Sequence, residues 1–447
     1  MKIDRTRNAS RNIVYGVVLK IYQLIMPFVM RTAMIYLLGV QYLGLNGLFT
    51  SILQVLNLAE LGVASAMVYS MYKPIVEDDA ATICALMRLY RTYYRVIGLV
   101  ICIAGLILLP FLPKLISGDV PDDINVYILY LMNLGATVLT YWLFAYKNSI
   151  LQAHQRLDVT SKVMLITETI KYLLQFFVLL FFHNYYYFVL VVLFIQVMNN
   201  IITAIVSNKM YPNYHPEGKL DSAVVKKING KIKDLFTAKL GGTIVNSADT
   251  IVISSFLGLT ALAVYQNYYY IMSSVIAFIG ILLSSCTAGI GNSLIVESID
   301  KNHNDFRTLT FLVSWIAGIC VCCFLCIYQP FMTLWVGEEY LLSFSCVVLF
   351  SIYFFCFVIN SLFCTYKDAA GIWHEDRFRP LIGAIVNLAL NLLLVNQFGI
   401  YAILLSTIIS YVFVAMPWLI HNLYKLLFKR SCKSMVKRLF LYTAVVI

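Results

Sequence analysis

Apolar stretches of membrane-crossing length recur along the chain, broken by short polar segments. Helices are expected at about 12–38, 44–70, 92–113, 124–147, 160–182 and 185–208, and then at 233–258, 261–292, 308–334, 340–365, 378–397 and 399–425. Each run is continuously apolar rather than alternating, so the pattern excludes a β-barrel and predicts helices, which need roughly 20 apolar residues to cross a bilayer. The expectation is an all-α polytopic membrane protein of twelve transmembrane helices. A last apolar run, Leu439 to Ile447, is too short to span. It reads as an interfacial segment or as the start of a thirteenth helix, with the second favoured.

Landmarks repeat across the two halves. Tyr146-Lys147 with His154 returns as Tyr366-Lys367 with His374, Leu38-Gly39 as Leu257-Gly258, Pro110-Phe111 as Pro330-Phe331, and Arg91-Thr92 as Arg307-Thr308. The nearly constant displacement predicts two related six-helix lobes, 1–208 and 233–425. Between them, 209–232 reads as a cytoplasmic linker with an amphipathic end; 426–447 is a basic tail. Val225, Ile228, Ile232 and Leu235 share one helical face of that end, with Lys226, Lys227, Lys231 and Lys233 on the others. A helix lying on anionic headgroups and a solvated charged linker both fit. Repeat-built membrane chains commonly place their site between repeats. Pro27, and Gly241-Gly242 in the second half, are expected points of bending.

Composition agrees. Hydrophobic residues make up 61% and charged residues 12%, against about 25% charged in soluble domains. The N-terminal run beginning at Asn12 is too long for a signal peptide, carries Lys20 and Arg31, and lacks a cleavage site. Cys320, Cys322, Cys323 and Cys326 crowd one helix without histidine or carboxylate partners, so packing is expected there rather than metal binding.

The net charge of +11 is an orientation signal. Loops after even-numbered helices hold Lys73, Arg88, Arg156, Lys209, Lys219, Lys226, Lys227, Lys231, Lys301, Arg377 and Arg379. Loops after odd-numbered helices hold Lys114 beside Asp119, Asp122, Asp123, Glu338 and Glu339. The positive-inside rule then puts both termini and the even loops in the cytoplasm. Six helices per half make the repeats parallel. Nucleic-acid binding is not needed to explain the charge.

Charges within spans need a reason, because each costs about 2.5–3.5 kcal/mol on insertion scales. Lys20 and Arg31 share one face of helix 1, and the repeat offset carries Lys20 onto Lys239 and Arg31 onto Asp249 or Thr250. Lys20, Arg31 and Lys239 are candidates to bind an anion such as a diphosphate; Lys20 and Lys239 alternatively snorkel to headgroups. Asp249, paired with Arg31 when no substrate is bound, and Glu60 are candidates for a coupling ion or cavity acid. Glu168 and Lys171 are expected to neutralise each other. Tyr265, Gln266, Asn267 and Asn246 are candidate sugar contacts, although an interfacial aromatic belt also accounts for the tyrosines.

The stretch Leu58 to Ala66 continuing through Tyr69 and Tyr72-Lys73-Pro74, the stretch Asn246-Ser247-Ala248-Asp249-Thr250, and Ala288-Gly289-Ile290-Gly291-Asn292 resemble polysaccharide repeat-unit (Wzx-like) flippases of the MOP exporter superfamily. The resemblance runs over essentially the whole chain. It implies two six-helix lobes around a cationic cavity open to one side at a time. It also implies ion-gradient-driven transfer of an undecaprenyl-diphosphate-linked oligosaccharide to the outer leaflet of the bacterial plasma membrane, with the coupling ion H+ or Na+, and glycan polymerases and glycosyltransferases as partners. Such families often carry fourteen helices, and they usually line the cavity with arginines where lysines dominate here. No cofactor, metal or catalytic residue is implied. Two other functions remain in view: a MATE-like cation or multidrug antiporter, which would present carboxylates without competing cations, and a membrane glycosyltransferase or polymerase, which would need catalytic groups in a sizeable loop.

Overall fold

A computed structural model of the chain describes residues 5–118 and 120–446. Lys2 and Asp119 lie outside the described residues, as do the side chains of Arg5, Arg7 and Asn246.

Helices account for nearly all of the described chain, with no strand among the described residues. The long elements are α1 (Arg5–Leu37), α2 (Val40–Leu56), α3 (Val63–Val76), α4 (Ala80–Leu108), α5 (Val126–Trp142), α6 (Asn148–Ala153), α7 (Leu157–Phe181) and α8 (Tyr185–Met210). They continue as α9 (Ser222–Val296), α10 (Ile299–Val336), α11 (Phe344–Ala369), α12 (Arg379–Phe398), α13 (Ile400–Ile409), α14 (Met416–Asn422) and α15 (Lys433–Val446). Ten of the described helices, or eleven with the bent pair α5–α6, are long and apolar enough to cross a membrane. One of them, α9, is a run of 75 residues, roughly 110 Å at helical rise and enough for two crossings.

Local chemistry sets the ends of these helices. Asn125 and Asn184 cap α5 and α8 by accepting backbone N–H bonds from the next turn, and Asp79 accepts from Thr82 N at 3.0 Å to start α4. Several boundaries differ from the sequence expectation, α4 and α10 beginning at Ala80 and Ile299 rather than at about 92 and 308. The second helix is broken by a 3-10 turn at Asn57–Glu60 and resumes as α3. The seventh and eighth helices are joined without a loop, and the chain turns at Gly258, whose φ of 91° suits a residue without a Cβ. That turn falls where the seventh expected helix ends. Gly241 does a different job: a Cβ there would meet the Pro380 carbonyl carbon at 2.3 Å, so its bare backbone lets α9 and α12 approach closely.

The chain divides into two compact units, Met1–Leu240 and Gly241–Ile447. In the first, α1 packs on α7, α3 on α4 and α6, and α5 on α4 and α8. In the second, α10 packs on α11, and α12 and α13 pack on each other. The linker is clasped to the first unit. Its Tyr211 and Tyr214 rings lie 4.2 and 5.6 Å from the buried His154 ring. Lys147 Nζ donates to Tyr214 O at 3.2 Å and Arg88 Nη1 to Gly218 O at 2.8 Å. The start of α9 docks too: Ile228 is buried, Tyr93 donates to Asn229 Oδ1 at 2.6 Å, and Lys231 Nζ sits 3.9 Å from the Tyr69 ring centre. Ile228, on the apolar face of this amphipathic segment, is thus taken up by protein rather than by headgroups.

Candidate functional site

Each unit carries its own polar centre inside the membrane-spanning helices. In the first, the 3-10 turn after α2 ends on Glu60, and α4 brings two tyrosines to it. Tyr94 donates to Glu60 Oε1 at 3.0 Å, and Tyr90 donates to Tyr94 at 2.6 Å. Near the carboxylate, Lys239 Nζ donates to Ser65 Oγ at 3.3 Å, and the ammonium acts electrostatically on Glu60. Lys239 and Lys20 are exposed; Arg31 is half-buried. Glu168 and Lys171 form the expected ion pair, which removes both from the charge balance. Lys20, Arg31 and Lys239 against Glu60 then leave this unit's spans cationic.

The second unit holds the more highly organised site. Asp249 on α9 is 6% exposed and takes its hydrogen bonds from α12 and α13. Asn391 Nδ2 donates to Asp249 Oδ1 at 2.7 Å and Thr407 Oγ1 to Asp249 Oδ2 at 3.3 Å. Asn387 Nδ2 donates to Thr407 Oγ1 at 2.9 Å, while Asn391 Nδ2 also reaches Asn387 Oδ1 at 3.3 Å. Both amides and the hydroxyl are fully buried or nearly so, and Asn391 Oδ1 has no hydrogen-bond partner among the described residues. The carboxylate is thus held by the Asn391 amide NH2 and the Thr407 hydroxyl, with Asn387 supporting both, and no basic side chain is among its hydrogen-bond donors in the described residues. A single buried negative charge in such surroundings is satisfied by one proton or one small monovalent cation. Immediately beyond Thr407 the helix passes into a π-helical stretch, Ser410–Ala415, of the kind that often marks a functional region.

Sequence reasoning identified Asp249 but missed Asn387, Asn391 and Thr407. The available signal was two amides four residues apart in an apolar span, a spacing that places both on one helical face. Of the candidate sugar contacts, Tyr265 is 3% and Asn267 1% exposed, both within the core of the second unit. Tyr265 stacks with Tyr269 at 6.1 Å and lies 5.4 Å from Phe350. Gln266 is half-buried, with its Oε1 buried and unpartnered among the described residues.

The repeated Tyr-Lys-x6-His elements also resolve. Each leads into an Arg–Asp pair at the start of a helix. In the first unit Arg156 Nε and Nη2 donate to the two Asp158 oxygens at 2.9 and 3.2 Å. In the second, Arg379 Nε and Nη2 donate to Asp376 at 2.6 and 2.9 Å. The order of acid and base is reversed between repeats, which hid the correspondence from sequence comparison.

No protein-family model and no curated protein matches the chain. Solved structures do. An inward-facing multidrug resistance MATE family transporter of the MOP superfamily superposes with TM-score 0.70 at 12% identity, over 91% of this chain and 97% of that one. Lipid II flippase MurJ in an inward closed conformation gives 0.66 at 14%, over 92% and 87%. The Vibrio cholerae MATE transporter VcmN gives 0.62 at 14%, over 95% and 99%. The chain shares the fold of these three transporter structures. Because a MOP fold is common to a flippase and to drug exporters, it does not choose between their cargoes.

Proposed function

We propose that the protein is a flippase that moves an undecaprenyl-diphosphate-linked oligosaccharide repeat unit from the inner to the outer leaflet of a bacterial plasma membrane. It works by alternating access coupled to an H+ or Na+ gradient and serves cell-surface glycan synthesis. The observation that carries this reading is the cationic balance of the first unit's spans. Lys20, Arg31 and Lys239 outnumber Glu60, and they supply the positive field that a diphosphate requires. In this reading those three bind the headgroup. Asp249, with Asn387, Asn391 and Thr407, takes the coupling cation, and Glu60 adjusts the charge of the first site. Asn246 and Gln266 remain sugar contacts on this reading, whereas the burial of Tyr265 and Asn267 gives them a packing role.

The buried carboxylate of Asp249 is also what a MATE-like cation or multidrug antiporter would use, and one experiment separates the two. The chain is expressed in a bacterial host that has lost its own repeat-unit flippase but keeps its glycan operon. The flippase reading expects lipid-linked repeats to stop accumulating on the inner leaflet and surface glycan to return. Unchanged accumulation together with raised resistance to cationic drugs would establish the antiporter instead.

A further inference from the structure

The first unit encloses a cavity of about 160 Å³ between α3, α4, α6, α7 and α8. Its lining includes no formally charged side chain. Val68 and Met164 contribute apolar lining, and Asn148, Gln152, Asn199 and Asn200 contribute amides. Several of these amides are half-committed. Asn148 Oδ1 accepts from Thr160, Asn199 Oδ1 accepts from Thr167, and Asn200 Nδ2 donates to Thr140 O. Among the described residues this leaves the Asn148 and Asn199 NH2 groups, and the whole Gln152 amide, for a guest.

We propose that this cavity is a subsite for one neutral pyranose ring, the sugar next to the diphosphate of the cargo. The inference rests on the flippase reading. A pyranose offers hydroxyls at its edge and C–H groups on its faces, which suits a lining that combines amides with aliphatic side chains. The cavity of about 160 Å³ has room for a guest of the size of a sugar ring. The position is also right. Ala64 lines the cavity while the next residue, Ser65, holds Lys239, and Tyr94 on the wall is the donor to Glu60. A diphosphate at Lys239 would therefore have its sugar beside this opening. The wall is built at a backbone cost: Phe144, where the chain bends from α5 into α6, adopts a left-handed φ of 59°.

The test is saturation-transfer NMR on the full-length protein in deuterated detergent. The probes are the methyl glycosides of glucose, galactose, N-acetylglucosamine and N-acetylgalactosamine, with sorbitol as the open-chain control. Saturation is expected to reach the ring protons of at least one glycoside and not sorbitol. It should fall roughly fivefold, about the worth of one hydrogen bond, in each of the near-isosteric variants Asn199→Leu and Gln152→Leu. Thermal melts identify any variant that fails to fold, and the other variant then decides. Saturation no greater for any glycoside than for sorbitol, or a signal indifferent to both substitutions, overturns the subsite and leaves a water-filled void. The export assay is read separately. Rescue by the wild-type chain with a silent cavity removes only this inference, whereas failure of the wild-type chain to rescue removes the flippase reading itself.

Discussion

Asn391 donates to Asp249 across 142 positions of sequence, at 2.7 Å and out of contact with solvent. The bond joins the helix that opens the second unit to one near its end. It satisfies a carboxylate that would otherwise be prohibitively buried.

If that site takes the coupling cation, Asp249→Asn should abolish the dependence of transport on the ion gradient while leaving the fold intact, because the amide keeps the shape and loses the charge. Uptake driven by an imposed Na+ or pH gradient in proteoliposomes should drop at least about tenfold, equivalent to about 1.4 kcal/mol. Asn391→Leu should instead cost stability, about 1–3 kcal/mol for a carboxylate left short of a donor, seen as a lower melting temperature. Gradient-driven transport that survives Asp249→Asn would remove the site from the mechanism.

Lys20 and Lys239 define the second expectation. Exchanging both for Gln preserves length and hydrogen bonding but removes two positive charges from the first unit's spans. Export of lipid-linked repeats should fall at least roughly tenfold, and each single exchange should fall less, as expected when charges share one anion. Wild-type export from the double variant, at equal protein level in the membrane, would show that the lysines snorkel to headgroups and do not hold cargo.

How much of this was legible in the sequence varies with the kind of signal. Continuous apolar runs gave the all-helical membrane architecture, because a bilayer imposes a length requirement that a sequence displays directly. Asp249 stood out for the same reason, being a charge where none is cheap. Its partners did not, since Asn387 and Thr407 are ordinary in isolation and acquire meaning only when α12 and α13 bring them to α9. The turn between the seventh and eighth helices was legible at Leu257-Gly258, whereas composition alone does not show that Gly241 serves a close approach. The start of α9 reads as two-faced in sequence, but periodicity does not say whether lipid or protein covers the apolar face.

Gly241 gives a packing prediction. With the Pro380 backbone 2.3 Å from where a Cβ would stand, neither partner can yield by rotating a side chain. Gly241→Ala should lower stability by about 1–3 kcal/mol, as overpacked sites do, whereas Gly242→Ala, with nothing within 4 Å, should be neutral or better. Paired melting curves in detergent check this, and equal melting temperatures would contradict the close approach of α9 and α12.

Asp376 supports two cations at the start of α12. Both of its oxygens engage Arg379, and Lys367 Nζ lies 3.5 Å away. Asp376→Asn strands a largely buried guanidinium, and breaking such a pair costs about 3–5 kcal/mol. The variant should express poorly or melt far below the wild type. The double exchange Asp376→Asn with Arg379→Leu should recover much of the loss, since the penalty comes from the uncompensated charge.

The last prediction concerns the linker clasp and pH. His154 is buried against Tyr211 and Tyr214, and burial pushes its imidazole below the usual 6.5, with the hydrogen bond to Ile150 O opposing but not reversing the shift. A base whose folded value is depressed is held neutral by the fold. Its contribution to docking is therefore complete above the unfolded value and is lost as pH falls below about 6.5, where the unclasped state binds the extra proton. Arg156, electrostatically coupled to Tyr211, adds positive charge on the same side. Hydrogen exchange of the 211–219 backbone, corrected for intrinsic rates, should show protection at about pH 7.5 that weakens toward pH 5.5. In His154→Gln the protection should be lower at neutral pH and flat across the same range. A pH response that persists in that variant would assign the switch to another group.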